Sequence, residues 1–327
     1  MLVFRWLCVA ALVMTASGAG RTEERQPLVA VVSQQAGVVS LVDVETAAVV
    51  GQIPVPRVPA AVAASADGDR LFVTHPDLGL VTRIDAAARR VEASFAVGKE
   101  PFGIAVIDDG HALLVSDWSA DALIRVDAAT GRETARAAIG KSPAGLVVDA
   151  RAGRAYVADR ESNQVSVVDI ATMQRVATVP TGRAPFALAL SPDGGKLYVA
   201  NVQSNDLSII DTAAMREAAR IRIGLMPYDV AVTADGARIA VTSQQSGKVA
   251  VLDRAARKIV VEMKVGDYPE GVVIAGDRLI VANWADDSLC IAALSSTACR
   301  GNVLVPAGPR MMVSVRQKSP SHAPDLP

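Results

Sequence analysis

A strict 42-residue period runs through most of the chain. Six prolines keep this step: Pro59, Pro101, Pro143, Pro185, Pro227 and Pro269. Six aspartates keep it as well: Asp43, Asp85, Asp127, Asp169, Asp211 and Asp253. A repeat of this length is typical of a solenoid, an array or a propeller, so it constrains the architecture before any local pattern is considered.

The pattern within one period is that of strands. The repeat that begins at Gly182 holds four short apolar runs, which are separated by Pro, Gly, Asp, Asn and Ser clusters. Ser191-Pro192-Asp193-Gly194 has the composition of a β-turn. Since no stretch shows an apolar period of 3.6 residues between such breakers, helices are not expected. Four antiparallel strands in about 42 residues correspond to one propeller blade.

The two ends of the repeat region complete each other. Residues 28–54 contain three strand-like runs and lack the first strand of a blade, whereas residues 308–315 supply one strand and then stop. The sequence therefore predicts an all-β fold, a seven-bladed β-propeller with four-stranded antiparallel blades. In this fold the C-terminal strand joins the three N-terminal strands, which closes the ring and removes exposed sheet edges.

Short motifs carry a resemblance to a known family. Tyr198-Val199-Ala200-Asn201 and Leu279-Ile280-Val281-Ala282-Asn283 are similar to the YVTN motif, and the flanking G-x-x-P and S-P-D-G segments match the same repeat. The chain thus resembles the YVTN-repeat (YncE-like) seven-bladed β-propellers of exported bacterial proteins over residues 28–316. This resemblance implies a binding protein, a surface protein or an accessory factor of a periplasmic redox system, without selecting one.

The N-terminus has the features of a secretory signal peptide. Arg5 precedes an apolar run from Trp6 to Val13, and small residues follow up to Ala19. We predict a signal peptide at 1–19, a linker at 20–27, the propeller at 28–316 and a disordered proline-rich tail at 317–327. A membrane anchor is the alternative, but the apolar run is shorter than a bilayer span requires. The expected location is periplasmic or secreted, with no permanent membrane span after cleavage.

Cys290 and Cys299 remain after this processing. They fall where the third and fourth strands of the last blade are expected, so in an oxidising compartment they are predicted to form a disulfide. The alternative is two buried thiols. A metal site is not expected there, because no histidine lies nearby.

Composition excludes some functions. The formal net charge is -1 and no basic stripe is visible, so no nucleic-acid binding is expected. The chain lacks the G-x-S-x-G and C-x-x-C-H motifs, and we predict no cofactor and no resident metal. A monomer is expected.

Residues that recur in every blade are predicted to be structural. The repeat aspartates end the third strand, where a carboxylate accepts hydrogen bonds from the next turn. Function is sought where the blades differ, in the loops that enter the first strand and leave the second. These loops supply a predicted ligand-binding or partner-binding rim, which consists of His75, Phe102, Asp117, Trp118, Asp159, Arg160, Phe186, Asn201, Tyr228, Glu270, Asn283, Trp284 and Arg310. The alternative is that these groups only solvate the channel mouth and satisfy one another.

Two functional hypotheses follow. The first is a non-catalytic periplasmic scaffold that binds an unknown periplasmic protein or a small polar ligand. Such a scaffold could be an accessory protein of a secreted redox enzyme system. The second is a lactonase-like hydrolase or lyase, in which a channel-mouth cluster of His75, Asp117 and Asp159 binds a cation or acts as acid and base.

Overall fold

The computed structural model describes residues 28–299 and 301–315. The predicted signal peptide, linker and C-terminal tail lie outside the described residues, so these boundaries stay predictions. Within the described part, no helix has the length and apolar character needed to cross a bilayer.

The described residues form strands joined by short turns. The first seven strands are β1 (Leu28–Ser33), β2 (Val38–Asp43), β3 (Ala48–Pro54), β4 (Val62–Ala64), β5 (Arg70–His75), β6 (Leu80–Asp85) and β7 (Arg90–Ala96). The next eight are β8 (Pro101–Ile107), β9 (Ala112–Asp117), β10 (Ala122–Asp127), β11 (Glu133–Ala138), β12 (Pro143–Asp149), β13 (Arg154–Asp159), β14 (Gln164–Asp169) and β15 (Gln174–Pro180). They are followed by β16 (Pro185–Leu190), β17 (Lys196–Asn201), β18 (Asp206–Asp211), β19 (Arg216–Arg222), β20 (Pro227–Val232), β21 (Arg238–Ser243), β22 (Lys248–Asp253) and β23 (Lys258–Lys264). The last are β24 (Pro269–Ala275), β25 (Arg278–Asn283), β26 (Ser288–Ala293), β27 (Asn302–Leu304) and β28 (Pro309–Val315). Single 3-10 turns lie at Pro76–Leu78, Asp108–Gly110, Arg160–Ser162 and Gln244–Ser246.

The strands form seven four-stranded antiparallel sheets, as predicted. Blade 1 has the order β28-β1-β2-β3, and blades 2 to 7 follow in chain order from β4–β7 to β24–β27. In blade 1, Val29 pairs with Ser314 and Ala30 pairs with Val313, so the last described strand closes the ring against the first. The predicted fold class and its ring closure are confirmed.

The first strand of each blade is the innermost, because these strands contact their counterparts in the neighbouring blades. A hydroxyl on the second strand fixes this contact. Thr74 Oγ1 donates to the carbonyl of Phe102 at 2.7 Å, and Ser116 Oγ donates to that of Ala144 at 2.6 Å. Thr242 Oγ1 donates to the carbonyl of Glu270 at 2.8 Å. Each acceptor directly follows a repeat proline, so these buried bonds set the position of the residues that reach the channel.

The repeat aspartates have the predicted structural role. Asp43 Oδ1 accepts hydrogen bonds from the backbone N–H groups of Glu45 and Thr46 at 2.9 and 2.8 Å. The equivalent carboxylates of Asp85, Asp127, Asp169, Asp211 and Asp253 accept the same type of bond from the turn that follows each of them.

Cys290 and Cys299 form the predicted disulfide, with their Cα atoms 5.7 Å apart. The predicted position of Cys299 was wrong in detail. The fourth strand of blade 7 begins at Asn302, so Cys299 lies in the segment before it. Cys290 lies in β26 and is fully buried. The disulfide therefore ties this irregular segment to the third strand, in the blade next to the ring closure.

Ring closure depends on the apolar face of β28. Met312 is 8% exposed and packs in one core cluster with Val29 and Val31. We expect Met312→Asp to lower the free energy of unfolding by about 3 kcal/mol or more, because it buries a charge without a partner. Ser314→Asp is the matched control, since Ser314 is exposed on the same strand and should tolerate the change. Thermal unfolding followed by circular dichroism gives both values, and equal melting temperatures would contradict this account of closure.

Candidate binding site at the channel mouth

One face of the disc is formed by the loops that enter the first strand and the loops that leave the second strand of each blade. We call it the channel-mouth face. Its loops are held by side chains of the same blade and of the preceding blade. In blade 3, Asp117 accepts hydrogen bonds from the backbone N–H groups of Lys99 at 2.7 Å and Glu100 at 3.0 Å. The backbone of this face is therefore fixed by buried polar contacts.

The predicted rim residues that end the second strands do not lie open at this face. His75, Asp117, Asp159, Asn201 and Asn283 are fully buried. Asp159 Oδ2 accepts hydrogen bonds from Ser166 at 2.6 Å and Gln164 at 2.9 Å. The Asn201 amide donates to Asp206 at 2.7 Å. These side chains hold the loops of their own blades.

Burial changes the pKa values of two of these groups. It lowers the pKa of His75, although the backbone carbonyls of Arg57 and Pro56 oppose the shift. It raises the pKa of Asp159, against hydrogen bonds from Ser166 and Gln164. Among the described residues, no group of three or more His, Cys, Asp or Glu side chains is arranged to hold a metal ion. The structure thus does not bring His75, Asp117 and Asp159 together as a cation site.

The residues that follow the repeat prolines do meet. The ring centroids of Phe102 and Phe186 are 5.5 Å apart, and those of Phe186 and Tyr228 are 4.4 Å apart. Phe102 lies in blade 3 and Phe186 in blade 5, so their side chains meet across the channel and not between neighbouring blades. They form an aromatic floor at the channel mouth.

Arg310 completes this floor from blade 1. Its Nε donates to Glu270 Oε2 at 2.7 Å, and its Nη2 donates to the Tyr228 hydroxyl. The guanidinium carbon lies 6.0 Å from the ring centroid of Phe102, which belongs to a different side of the channel. Gln244 Nε2 donates to the second oxygen of Glu270 at 2.8 Å. Polar and aromatic groups from blades 1, 3, 6 and 7 therefore contact one another at this level of the channel.

Glu270 and Arg310 form a buried ion pair, with side chains that are 8% and 13% exposed. Burial raises the pKa of Glu270, while the charge of Arg310 and the hydrogen bonds from Arg310 and Gln244 oppose the shift. Burial also raises the pKa of Tyr228. A buried pair of this kind fixes geometry more than it adds stability.

The two rim tryptophans belong to separate contacts. Trp118 lies 5.3 Å from Phe102, centroid to centroid, and Arg160 stacks over the Trp118 ring at 5.8 Å. Trp284 lies 6.4 Å from Tyr268. Trp118 therefore extends the aromatic floor, whereas Trp284 and Tyr268 form a second aromatic pair on blade 7.

Sequence reasoning missed Asp229, a buried carboxylate at the second position after a repeat proline. Little space is available for a side chain at this position of the repeat. At the equivalent Gly103, a Cβ would lie 2.5 Å from the carbonyl oxygen of Ala144. Asp229 reaches across the blade interface, where Oδ2 accepts a hydrogen bond from the backbone N–H of Val272 at 2.8 Å. Burial raises the pKa of Asp229 to about 7, and the charge of Glu270 adds to the shift. Comparison of this position among the repeats would have revealed the aspartate, since blades 2 to 5 and blade 7 carry Gly or Ala there.

The predicted rim also left out a set of exposed cations. The residue two positions before the repeat proline is basic in four consecutive blades: Arg57, Lys99, Lys141 and Arg183. All four are exposed on the channel-mouth face. In blade 6 the position is Leu225, which is 53% exposed, and in blade 7 it is Asp267, followed by Tyr268 at 43% exposure. The face is thus basic on one side and apolar on the other.

A cleft of about 610 Å³ lies on the opposite face of the disc. It is lined by the inner-strand ends Ala64, Val106 and Val148, with Arg125 paired to Asp108 at its edge. None of the predicted rim residues lines it.

Asp229 makes the stability of the fold depend on pH. Its pKa is about 7 in the folded protein and 3.8 in its ordinary environment, so the folded state holds the proton more tightly. Its stabilising contribution is full below pH 3.8 and is lost as the pH rises through about 7, a change of roughly 4 kcal/mol. Asp229→Asn should remove this decline, while the exposed Asp277→Asn should retain it. Urea unfolding across this pH range measures both, and an unchanged slope in Asp229→Asn would refute the assignment.

The comparisons with known proteins agree with the fold. The family described as "Lactonase, 7-bladed beta-propeller" matches residues 104–275, and the family described as "YNCE-like beta-propeller" matches residues 10–112. The comparison with curated proteins finds no match.

Several solved structures have the same architecture. Hydrazine synthase of Kuenenia stuttgartiensis is 22% identical with a TM-score of 0.71, over 79% of this chain and 95% of that one. A functionally unknown protein from Desulfotomaculum acetoxidans is 15% identical with a TM-score of 0.78, over 89% of this chain and 99% of that one. The dihydro-heme d1 dehydrogenase NirN is 17% identical with a TM-score of 0.67, over 88% and 74%. At these identities the likeness concerns the fold. The YNCE-like match agrees with the resemblance of the repeats, and because the match to the family described as "Lactonase, 7-bladed beta-propeller" spans more than half of the chain, the chain belongs to that family.

Proposed function

We propose that this protein is a non-catalytic binding propeller that uses its channel-mouth face to recognise a protein partner. The observation that carries the proposal is the floor of Phe102, Phe186, Tyr228 and Arg310, whose side chains contact one another around and across the channel. Side chains that contact one another and are largely buried leave little room between them, which favours a contact surface over a deep ligand cavity. Large partners are recognised by such surfaces, with aromatic and arginine side chains as anchors.

Exposed apolar side chains support a protein as the partner. Leu225 and Tyr268 are 53% and 43% exposed on adjacent blades, and both lie in loops of the channel-mouth face. The loop of Leu225 is held by Ser246 Oγ, which accepts a hydrogen bond from the Leu225 backbone N–H at 2.8 Å. An apolar group on a fixed loop loses little conformational entropy on binding, so it suits a recognition site.

An exported location and a redox context complete the proposal. The N-terminal sequence predicts export, and the chain resembles a family of exported bacterial propellers. Two similar structures bear the names of a hydrazine synthase and a dihydro-heme d1 dehydrogenase. We therefore propose that the partner belongs to an exported redox enzyme system.

The second candidate is a small-molecule hydrolase or lyase with a site in the channel mouth. The lactonase family match favours it, as does the group of Tyr228, Asp229, Glu270 and Arg310. A carboxyl group with a pKa of about 7 is suited to acid–base catalysis at neutral pH. Because Asp229 is only 8% exposed, a substrate would first have to displace side chains of the floor.

A photoreactive amino acid placed at exposed apolar positions tests the proposed function. We expect a discrete crosslinked partner from position 225 or 268, where the side chain faces the proposed interface. Positions 176 and 260 are matched controls, because Val176 and Val260 are 53% and 49% exposed on outer strands. The same partner, once purified, should lose affinity for Tyr268→Ala and retain it for Val260→Ala.

Equal crosslinking from the outer strands would contradict the proposal. Lactone turnover by the purified protein that Glu270→Gln abolishes, with the melting temperature unchanged, would support the second candidate in its place. Variants of the channel-mouth face therefore distinguish the binding propeller from the hydrolase or lyase.

A further inference from the structure

We infer that the channel-mouth face recognises an acidic protein surface. The acidic groups of this surface bind the cations of blades 2 to 5, and an apolar group of the same surface packs on blades 6 and 7. The inference rests on the proposed function and names the chemistry of the partner. Its basis is the basic crescent, which we define as Arg57, Lys99, Lys141 and Arg183.

The side chains of the basic crescent are not engaged in ion pairs within the described residues. The Arg183 guanidinium donates to the backbone carbonyl of Gln203, at 3.4 Å. Many other cations of the protein are paired, for example Arg83 with Glu92 and Lys196 with Asp211. Four exposed cations at equivalent loop positions, none of them in an ion pair with the part of the chain that the structure describes, are therefore available to a partner.

The loops that carry the crescent are held rigidly. The backbone N–H of Lys141 donates to Ser162 Oγ at 2.8 Å, and that of Arg183 donates to Ser204 Oγ at 2.8 Å. The next residue in each loop has a positive φ, 50° at Ser142 and 54° at Ala184. Side chains of the preceding blade hold these unusual conformations. The same backbone conformation recurs at Val58, Met226 and Tyr268, so it belongs to the repeated framework, which fixes the spacing of the backbone positions that carry the cations.

The chemistry of the face changes abruptly after blade 5. Leu225 replaces the cation in blade 6, Asp267 replaces it in blade 7 and Ala307 replaces it in blade 1. Tyr268 and Trp284 then form the aromatic pair of blade 7. An interface that combines apolar anchors with a charged rim gains specificity and association rate from the charges. The asymmetry also fixes the orientation of the partner on a nearly symmetric disc.

Interleaved carboxylates favour an acidic protein over a nucleic acid. Glu100 follows Lys99 directly in the same loop, and exposed Glu161 lies 3.8 Å from Arg160. A uniformly charged polyanion would be repelled at these points, whereas a protein surface can place its own cations or neutral groups there. The formal net charge of the chain is -1, so the protein as a whole does not attract a nucleic acid electrostatically.

Fluorescence anisotropy with defined probes tests the inference. The probes are a labelled glutamate-rich peptide with interspersed phenylalanine, the same peptide with lysine in place of glutamate, and single-stranded oligothymidylate. The test variant combines Arg57→Gln, Lys99→Gln, Lys141→Gln and Arg183→Gln. The control combines Arg90→Gln, Arg132→Gln, Arg216→Gln and Lys258→Gln, which removes the same charge from exposed positions at the starts of the fourth strands or directly before them.

We expect the wild-type protein to bind the glutamate peptide with an affinity that falls as salt rises over about 20 to 200 mM. The crescent variant should bind it at least about tenfold more weakly, while the control variant stays within about twofold of wild type. Absence of glutamate-peptide binding, equal losses in both variants, or tighter binding of oligothymidylate would each overturn the inference. If the natural partner is lost by Tyr268→Ala but kept by the crescent variant, the proposed function stands and the inference fails.

Discussion

The pairing of β28 with β1 is the interaction on which the rest of the structure depends. It closes seven sheets into a ring, and it also brings Arg310, in β28, to the channel. There the guanidinium reaches Glu270 in blade 7, Tyr228 in blade 6 and Phe102 in blade 3. The strand that removes the open edge of the sheet array thus also supplies the side chain that joins the polar and aromatic parts of the channel floor.

The molecule separates a repeated framework from a few positions that differ. The framework consists of turn-capping aspartates, loop-holding side chains and hydroxyl groups such as that of Ser116, which bonds the next blade at 2.6 Å. Because these contacts recur, one position can vary without loss of the fold. Asp229 occupies the position that is Gly or Ala in other interior blades, and Leu225 replaces a cation. Variation on a fixed framework gives this nearly symmetric disc a polar side, an aromatic side and a basic crescent.

The sequence predicted the fold well, because a 42-residue period of strands and turns leaves few closed architectures. It also predicted the disulfide partners and which residues follow the repeat prolines at the channel. It predicted the ends of the second strands less well. The period places His75 and Asp159 at the correct face but does not give the direction of their side chains, which turn inward to hold the loops. Asp229 and the basic crescent were missed because the predicted rim consists of residues directly after the repeat prolines and at the ends of the second strands. Asp229 lies one residue further along, and the crescent lies two residues before the prolines.

Hydrogen–deuterium exchange of the protein alone and saturated with its purified partner tests the central claim most directly, since it maps the contact surface without mutation. The account predicts slower exchange in the loops that enter the first strands, at 55–59, 97–101, 139–143, 181–185, 223–227 and 265–269, with no change in the outer strands β7, β15 and β23. Protection confined to the outer strands or to the loops of the opposite face would contradict the claim that the channel-mouth face is the recognition surface.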